Sequence, residues 1–300
     1  MTIVHIIVLF ALPPLLLSVI NKTKAAFAGR RGPPLLQVYY DIAKLLRKGL
    51  VVSDTTSWVF VAGPAVTFVA VAMAGLLVPF GHSPAPLSFA GDMILFAYLF
   101  GLARFFTTAA ALDTGSAFEG MGSAREAAFA CLTEPALFFV FIALAKQTGS
   151  LSLARMLGSS LLLSDAPAAA PIVLMCIGLF IVLLAENSRI PVDDPTTHLE
   201  LTMIHEAMIL DHSGPLLGLI EYSASMKLLV LESVLISLAL PFGSGLAIID
   251  CCIFVAEALL LSSVIGVVES VMARLRMRRI PYLLTGALLL CGSGFILLAR

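Results

Sequence analysis

The chain has 300 residues, of which 60% are hydrophobic and 12% charged, and its mean hydropathy is +1.04. A soluble domain is nearer half apolar and a quarter charged, so this composition excludes an ordinary soluble protein. The net charge of −1 gives no indication of a nucleic-acid partner. All five cysteines lie in apolar runs without a CxxC pair, which is typical of buried hydrophobic residues and predicts neither disulfides nor a metal cluster on this chain.

The first apolar run, residues 3–20, is interpreted as a transmembrane helix and not as a cleaved signal peptide. No basic residue precedes it, and Lys22, Lys24, Arg30 and Arg31 follow it. A signal peptide carries its basic residues before the apolar stretch. We therefore expect a retained first span whose N-terminus lies outside.

The polar connection after this span contains an amphipathic pattern within residues 25–52. Val38, Ile42, Leu45 and Leu46 fall on one helical stripe, and charged residues surround the stripe. This pattern predicts an amphipathic cytoplasmic helix that lies at the membrane interface.

Further apolar runs of membrane-spanning length follow, so we predict an all-α integral membrane protein with about eight transmembrane helices. The predicted spans cover residues 3–20, 58–80, 92–112, 124–145, 171–185, 222–240, 246–268 and 282–298. No internal repeat or low-complexity linker divides the chain, so residues 1–300 are expected to form a single polytopic domain. Its cytoplasmic loops are predicted at about residues 21–57, 113–123, 186–221 and 269–281.

The basic residues separate onto one side of this arrangement. Odd-numbered connections carry Lys22, Lys24, Arg30, Arg31, Lys44, Arg47, Lys48, Arg189, Arg274, Arg276, Arg278 and Arg279. Even-numbered connections and the C-terminal tail carry only Lys146, Arg155 and Arg300. The positive-inside rule then predicts a multi-pass protein of the inner or plasma membrane with both termini outside.

Several charged residues fall inside or at the ends of the predicted spans. They are Arg104, Glu126, Glu134, Glu186, Lys227, Glu232, Glu257 and Glu269. Such residues are costly in a bilayer and usually face a protein or water-filled interior. The interpretation we favour is a proton path through carboxylates with shifted pKa values. The alternative is a set of structural ion pairs, for example Arg104 with Glu134.

The densest group of acids and histidines lies between residues 185 and 214. A helix is predicted from about Thr196, on which His198 and His205 would share a face. Seven residues rise about 10.5 Å on a helix, whereas zinc–nitrogen bonds are about 2 Å long, so we predict no metal site. Two interpretations stay open: a solvated interfacial helix, or a docking segment in which histidines and acids couple to protons.

Several groups of residues resemble motifs of one family. The segment ENSRIPVD (186–193) resembles the E-x-x-R-x-P-F/V-D signature of the complex I subunit 1 family. The first cytoplasmic loop of that family has a pattern that this chain resembles, with one residue fewer before the glycine. The residues that carry the resemblance are Arg31, Gly32, Pro33, Gln37, Asp41 and Lys44. Four further stretches resemble motifs of the hydrogenase branch of this family. They are DTGS (113–116), SARE (123–126), EP (134–135) and MAR (272–274, with Glu269). The ordered set is most similar to the membrane subunits of formate hydrogenlyase and hydrogenase-4.

The resemblance implies a non-catalytic membrane subunit at the heel of an L-shaped oxidoreductase complex. Its cytoplasmic loops would dock hydrogenase-like large and small subunits and a ferredoxin-like iron–sulfur subunit. Antiporter-like membrane subunits would adjoin it in the lipid bilayer. The resemblance implies no cofactor on this chain, because the iron–sulfur clusters and any nickel–iron centre would lie on partner subunits. Its buried acids would couple electron transfer to the translocation of protons or sodium ions.

Two sets of functional residues follow from the charge pattern and the resemblance. We assign the proton path to Glu126, Glu134, Glu186, Asp193, Glu200, Glu206, Glu232, Glu257 and Glu269. We assign docking of the redox arm to Arg30, Arg31, Asp41, Lys44, Arg189, Asp211 and Arg274. The chain departs from the family after Asp193, where only Glu200 remains of three acids, and DHSG (211–214) stands where the family has E-Y-S-G.

Three other functions remain as alternatives. The first is the corresponding subunit of a quinone-reducing machine, which would need an apolar tunnel between the first span, the amphipathic helix and the sixth span. The second is a stand-alone cation/proton transporter, although such proteins often contain internal repeats, which we do not find here. The third is a passive scaffold, in which neutralising Glu134 or Glu257 would leave coupling intact.

Overall fold

The computed structural model describes residues 2–158, 169–193, 203–240 and 246–299, and within these ranges it contains twelve α-helices and one 3₁₀ turn. The helices are α1 (Thr2–Ala11), α2 (Pro13–Phe27), α3 (Gln37–Arg47), α4 (Trp58–Leu77), α5 (Asp92–Asp113), α6 (Ala117–Thr148), α7 (Leu153–Leu157), α8 (Ala169–Glu186), α9 (His205–Met208), α10 (Gly214–Ala239), α11 (Ala247–Val271) and α12 (Ile280–Ala299). The 3₁₀ turn, Met277–Arg279, lies directly before α12.

Six of the described helices are long and apolar enough to cross a membrane, namely α4, α5, α6, α8, α11 and α12. The pair α1 and α2 would make a seventh span if the two are counted as one helix bent by 42°. The prediction of an all-α membrane protein is therefore confirmed, and the count of eight is approximate. The predicted sixth span, 222–240, coincides with α10, which is not among these helices.

Helix α10 lies at the centre of the bundle. It contacts α2, α3, α4, α8 and α11, and most of its side chains are buried. Its polar residues therefore face other helices and not lipid, which explains how Lys227 and Glu232 can stand inside the apolar region. These two charges are carried on the most enclosed helix of the described bundle.

The first span is broken between α1 and α2. Pro13 and Pro14 have no backbone N–H, so carbonyl groups in the preceding turn lose their helical donors. The Phe10 carbonyl loses the donor that Pro14 cannot supply, and the Ala11 carbonyl is free because the Leu15 N–H bonds the Leu12 carbonyl instead. Two tyrosine hydroxyls bind these two carbonyls. Tyr222 Oη donates to the Phe10 carbonyl at 2.6 Å, and Tyr39 Oη donates to the Ala11 carbonyl. Tyr39 therefore connects α3, and Tyr222 connects α10, to the first span at its break.

The predicted amphipathic helix is present as α3. Its buried residue Ile42 faces the bundle, and α3 contacts α2 and α10. The two helices approach closely at Gly218 of α10. A Cβ atom at this position would lie only 3.1 Å from the Cβ atom of Leu45. Tyr40 and Lys44 lie on the exposed face of α3. The helix therefore presents basic residues outwards and apolar residues towards α10.

Specific side chains fix the ends of several helices. Ser57 caps α4 by accepting a hydrogen bond from the backbone N–H of Val59 at 3.2 Å. Asp92 begins α5, is fully buried, and accepts hydrogen bonds from the Leu153 backbone N–H at 2.6 Å and the Ser152 hydroxyl at 3.0 Å. Asp92 therefore joins the start of α5 to the start of α7.

Some boundaries differ from those predicted. Helix α6 is 32 residues long and begins at Ala117, so most of the predicted connection 113–123 is helical. The turn between α5 and α6 instead passes through Gly115, whose φ of 70° suits a residue without a Cβ atom. Sequence hydropathy marked only the apolar part of α6 because its first two turns carry polar residues.

Candidate functional site

The most concentrated group of charges surrounds Arg104 in α5. Its Nε lies 3.4 Å from Oε1 of Glu126, and its Nη2 lies 2.5 Å from Oε1 of Glu186. Its Nη1 is paired with Oε1 of Glu134. One guanidinium therefore binds three carboxylates that come from α6 and from the end of α8. We call this group, together with Lys227, the Arg104 cluster.

Lys227 completes the cluster from α10. Its Nζ lies 2.7 Å from Oε2 of Glu186, and Thr133 Oγ1 donates to Oε1 of Glu186 at 2.7 Å. Within the cluster three carboxylates face two cations, so one negative charge is not balanced when all five groups are ionised. A buried charge without a partner is costly. The composition of the cluster therefore favours compensation by a further cation.

The cluster reaches the surface of the bundle at Glu134. The side chain of Glu134 is 48% exposed, whereas that of Glu186 is 8% exposed. A groove beside Glu134 is lined mainly by apolar residues of α5 and α6, including Tyr98, Leu137 and Phe138. In a membrane this would leave a carboxylate facing hydrocarbon, which is unfavourable unless another polar group covers it.

A cavity connects the other side of the cluster to the loop that follows α8. Its lining includes Arg104, Glu126, Glu186 and Lys227 of the cluster, together with Asn187, Ser188 and His205 from the segment after α8. Thr67 and Thr107 line the same cavity from α4 and α5. We call this the central cavity. It brings groups that can donate and accept protons next to Arg104.

Glu206 stands in the short helix α9, outside the membrane-spanning helices. Burial raises the pKa of Glu206 to about 7, and the negative charges of Glu221 and Asp193 act in the same direction. At neutral pH this carboxyl is therefore close to half-protonated. Such a group can both accept and release protons near physiological pH.

His205 precedes Glu206 and faces the central cavity. Burial lowers the pKa of His205 to about 4, the positive charge of Lys227 acts in the same direction, and Asp193 opposes both. The imidazole is therefore neutral at pH 7. A neutral imidazole can accept a proton at one nitrogen and donate one from the other.

A second set of ion pairs fixes the shape of the loop. Arg274 Nη2 lies 2.8 Å from Oδ1 of Asp193, and Asp193 Oδ2 accepts the backbone N–H groups of Ile204 at 3.0 Å and His205 at 3.3 Å. One carboxylate thus holds both ends of a loop segment. Its role in this structure is to position α9 beside the Arg104 cluster.

Glu269 of α11 is paired twice. Its side chain is fully buried, with Oε2 at 2.8 Å from Lys24 Nζ and Oε1 at 3.4 Å from Arg189 Nη1. These contacts join α2, the loop after α8 and the end of α11. The arrangement stabilises the same region of the bundle to which Asp193 is bound.

The structure brings together part of the predicted proton path. Glu126, Glu134 and Glu186 form one cluster, and Glu206 lies in α9, next in sequence to His205, which lines the central cavity. Glu232 is fully buried in α10 and accepts a hydrogen bond from Ser262 at 2.9 Å. Among the described residues, no ion pair or hydrogen bond joins Glu257 of α11 to the cluster. Glu200 and His198 lie outside the described residues.

The residues assigned to docking divide into an exposed and an inward-facing group. Arg30, Arg31, Asp41 and Lys44 are exposed in and beside α3, and Asp211 is exposed after α9. The backbone N–H of Asp211 donates to Oε1 of the buried Glu119 at 3.0 Å.

Two assigned docking residues are instead occupied within the chain. Arg189 is 9% exposed and faces Glu269, and Arg274 faces Asp193. Both guanidinium groups are therefore bound within the chain, and the assignment of these residues to docking stays a prediction. The ion pairs form because the segment after α8 lies against the end of α11 and the residues that follow it.

Sequence reasoning did not assign Arg104, Lys227, Thr133 or His205 to the path. The signal for the first two was present, since each is a basic residue inside an apolar run. Thr133 and His205 carried no such signal, because their roles depend on which way α6 and α9 are turned. In the part of the chain that the structure describes, no group of three or more His, Cys, Asp or Glu side chains could hold a metal ion.

The fold and the cluster define a class of protein: a multi-pass α-helical membrane protein in which several intramembrane charges are paired inside the bundle. Sequence comparison identifies the family. Residues 1–299 match the NADH dehydrogenase family, and the chain belongs to this family of complex I subunit 1-like proteins. The resemblance inferred from the loop motifs is therefore confirmed.

Three relatives show where the chain stands within the family. It is 31% identical over 303 residues to formate hydrogenlyase subunit 4 of Escherichia coli (strain K12), covering 99% of this chain and 95% of that protein. It is 28% identical over 275 residues to hydrogenase-4 component C of the same organism, covering 89% and 85%. It is 30% identical over 221 residues to an NADH-quinone oxidoreductase subunit of Wolbachia pipientis wMel, covering 65% and 64%.

A solved structure shares the fold. A chain of the membrane-bound sulfane sulfur reductase, an archaeal respiratory membrane complex, superposes with a TM-score of 0.85 at 19% identity. The match covers 99% of this chain and 97% of that chain. At this identity the likeness shows a common fold over essentially the whole chain.

Proposed function

We propose that this chain is the membrane anchor subunit of an energy-converting group 4 [NiFe]-hydrogenase or formate hydrogenlyase-like complex. In this role it docks the redox arm and couples electron transfer to the translocation of protons or sodium ions. The observation that carries the proposal is the Arg104 cluster, which extends from the central cavity to the half-exposed Glu134. The two E. coli relatives support the choice of complex, since they are a formate hydrogenlyase subunit and a hydrogenase-4 component.

The coupling route begins at the loop after α8. Glu206 exchanges protons with the cytoplasm because its pKa is raised to about 7. His205, the residue before Glu206, lines the central cavity and stays neutral at pH 7. A proton that reaches the cluster changes the balance among Glu126, Glu186 and their two cations. A redox reaction in the docked arm drives this exchange by altering the charge or position of the loop.

Glu134 is the end of the route on this chain. Its carboxylate is half-exposed at the membrane-facing side, so a neighbouring membrane subunit must cover it. We assign this position to an antiporter-like subunit that carries a polar or cationic group opposite Glu134. Such a group would balance the excess negative charge of the cluster and receive the signal that the cluster transmits.

The docking surface for the redox arm is the exposed side of α3 and its flanking loop. Arg30, Arg31 and Lys44 are exposed there, with Asp41 beside them. Exposed charged groups of both signs fix the orientation of a protein partner. The partners we assign to this surface are the hydrogenase-like large and small subunits and a ferredoxin-like subunit, which hold the iron–sulfur clusters and the nickel–iron centre.

A gentle-detergent purification of the tagged chain tests the assignment. Partners would be identified by mass spectrometry and assayed for nickel and iron. A co-purifying large subunit that contains nickel supports the hydrogenase assignment. Iron–sulfur partners without nickel contradict it in favour of a quinone-linked or diverged complex. Recovery of the chain alone from cells that express the whole operon would contradict the anchor role and favour a stand-alone transporter.

A second candidate is the corresponding subunit of a quinone-reducing complex. The relative that favours it is the NADH-quinone oxidoreductase subunit of Wolbachia. Against it, Tyr39 and Tyr222 reach into the junction of α3, α10 and the first span, where a quinone tunnel would be needed, and bind the carbonyls there. Turnover of the purified complex with a soluble quinone, measured against turnover with protons as acceptor, separates the two candidates.

A further inference from the structure

His212 is a buried polar residue that the proposed route does not use. It precedes α10, is 5% exposed, and its ring lies 4.0 Å from the Phe60 ring between centroids. Neither ring nitrogen has a hydrogen-bond partner of normal geometry among the described residues, although the Phe60 carbonyl lies near the ring. Buried polar atoms are usually paired with protein or with ordered water, so these two nitrogens need an explanation.

A small cavity lies against this imidazole. It is lined by His212, Pro64, Ala110, Ile209 and three residues that it shares with the central cavity, namely Thr107, Met208 and Ile220. We call it the histidine cavity. Pro64 has no N–H, so the Phe60 carbonyl lacks its helical donor and is available as an acceptor. The imidazole, this carbonyl and the Thr107 hydroxyl supply the two to four partners that a buried water requires.

Two threonine hydroxyls continue from the histidine cavity into the central cavity. Thr107 Oγ1 lies 3.0 Å from Oγ1 of Thr67, and both residues line the central cavity with Arg104 and Glu186. A hydroxyl both donates and accepts a hydrogen bond, so two of them in contact can relay a proton. His212 and the Arg104 cluster therefore line two cavities that meet at Thr107, at a place separate from Glu206.

We propose that His212 is a second proton input to the Arg104 cluster, acting through water in the histidine cavity and the hydroxyls of Thr107 and Thr67. One ring nitrogen accepts a proton from the solvent side, where Asp211 is exposed, while the proton on the other nitrogen passes to the water. Each hydroxyl then releases its own proton as it accepts the next, and rotation of the ring turns the newly protonated nitrogen towards the water for the next transfer. The inference rests on the proposed function, because it requires that the cluster conducts protons.

The environment of His212 suits a relay. Burial lowers the pKa of His212 to about 4, so the ring is neutral at pH 7 and does not trap a proton. A packing role alone would require the ring to fill space against Phe60, which phenylalanine can do equally well.

The test uses the whole complex reconstituted in liposomes, with proton movement followed by a pH-sensitive dye during turnover. The variants are His212→Phe, which keeps the aromatic contact, and Thr107→Val, which keeps the shape of the side chain. The control is His82→Phe, since His82 is an exposed histidine outside both cavities. We expect His212→Phe and Thr107→Val each to slow proton translocation about two- to five-fold. The double variant should be no slower than either one.

The outcomes separate this inference from the proposed function when Glu134→Gln is measured beside them. Normal translocation by Thr107→Val overturns the second input whether or not His212→Phe assembles, because the relay needs the hydroxyl. A second outcome is that Glu134→Gln loses proton translocation while His212→Phe and Thr107→Val translocate protons normally. That result overturns the second input and leaves the proposed function in place. Normal translocation in Glu134→Gln overturns the proposed function, and the inference falls with it.

Discussion

Lys227 and Glu186 join two helices of the bundle, with Nζ of Lys227 at 2.7 Å from Oε2 of Glu186. Glu186 is the last residue of α8, and its other oxygen faces Arg104 at 2.5 Å. One carboxylate therefore lies between cations from α5 and α10. Its charge state determines whether both cations are balanced, so changes at this pair affect the stability of the bundle and the charge of the cluster together.

Replacement of Lys227 by methionine tests this pair. Lys227→Met removes a cation that is 21% exposed and leaves its partner buried, so we expect a loss of about 3 kcal/mol in the free energy of unfolding. The double variant Lys227→Met/Glu186→Gln should lose less than the sum of the single changes, because the uncompensated charge is also removed. Thermal unfolding in detergent measures both. Lys48→Met, at an exposed lysine, is the control, and strict additivity of the two changes would contradict the pairing.

The sequence predicted the elements of this site better than their arrangement. The apolar runs located α5, α6 and α8 to within a few residues, apart from the polar start of α6, and the pairing of Arg104 with Glu134 was one of the two interpretations considered. The place of Lys227 could not be predicted, because it depends on the rotation of α10 relative to α8. Helix α10 itself is less apolar than several of the other spans since it is enclosed by protein and not by lipid.

Neutralisation of Glu134 tests the route through the cluster. Glu134→Gln keeps the size of the side chain and removes its charge, so we expect assembly to persist and ion pumping to fall at least about ten-fold. The measurement is proton movement per electron in inverted membrane vesicles, with subunit content checked by blue-native electrophoresis. Asp54→Asn neutralises an exposed acid in the loop before α4 and is the matched control. Normal pumping by the intact Glu134→Gln complex would show that the chain is a passive scaffold.

Glu206 gives the bundle a pH-dependent stability. Its pKa is about 7 in the folded chain and about 4.3 in an unfolded one, so the folded state binds its proton more tightly. Folded stability therefore falls as the pH rises between these two values, and the full penalty is present above pH 7. We expect Glu206→Gln to stabilise the chain by about 1–2 kcal/mol at pH 8 and to change nothing at pH 4. Unfolding curves at both pH values check this, and an equal gain at both would contradict the raised pKa.

Arg31 and Arg189 should act on different properties. Arg31 is exposed beside α3, so Arg31→Ala is expected to release the redox arm while the chain stays folded. Arg189 is buried against Glu269, so Arg189→Ala is expected to lower the free energy of unfolding by about 3 kcal/mol and to release the arm only through that loss. Co-purification of the arm and thermal unfolding are measured on both variants. Stable retention of the arm by Arg31→Ala would contradict the docking assignment.

The broken first span gives a last prediction, at Tyr39 and Tyr222. Each hydroxyl donates to a carbonyl at the end of α1 that lacks its helical donor. The donor to Phe10 would be Pro14, which has no N–H group, and the donor to Ala11 would be Leu15, whose N–H instead bonds the Leu12 carbonyl. Replacing either tyrosine by phenylalanine removes a hydrogen bond and leaves the aromatic ring in place. A hydrogen bond in a membrane protein contributes about 0.5–1.7 kcal/mol, so each change should lower the stability by that amount.

Tyr98→Phe is the matched control, since Tyr98 is 73% exposed and lies away from the break. Thermal unfolding measures the three single variants and the Tyr39→Phe/Tyr222→Phe double variant. The two tyrosines bind adjacent carbonyls of one turn, so the double variant should lose a different amount from the sum of the single changes. If Tyr39→Phe and Tyr222→Phe are as stable as Tyr98→Phe, the two hydrogen bonds do not stabilise the first span at its break. That result would contradict a stabilising role of α3 and α10 there.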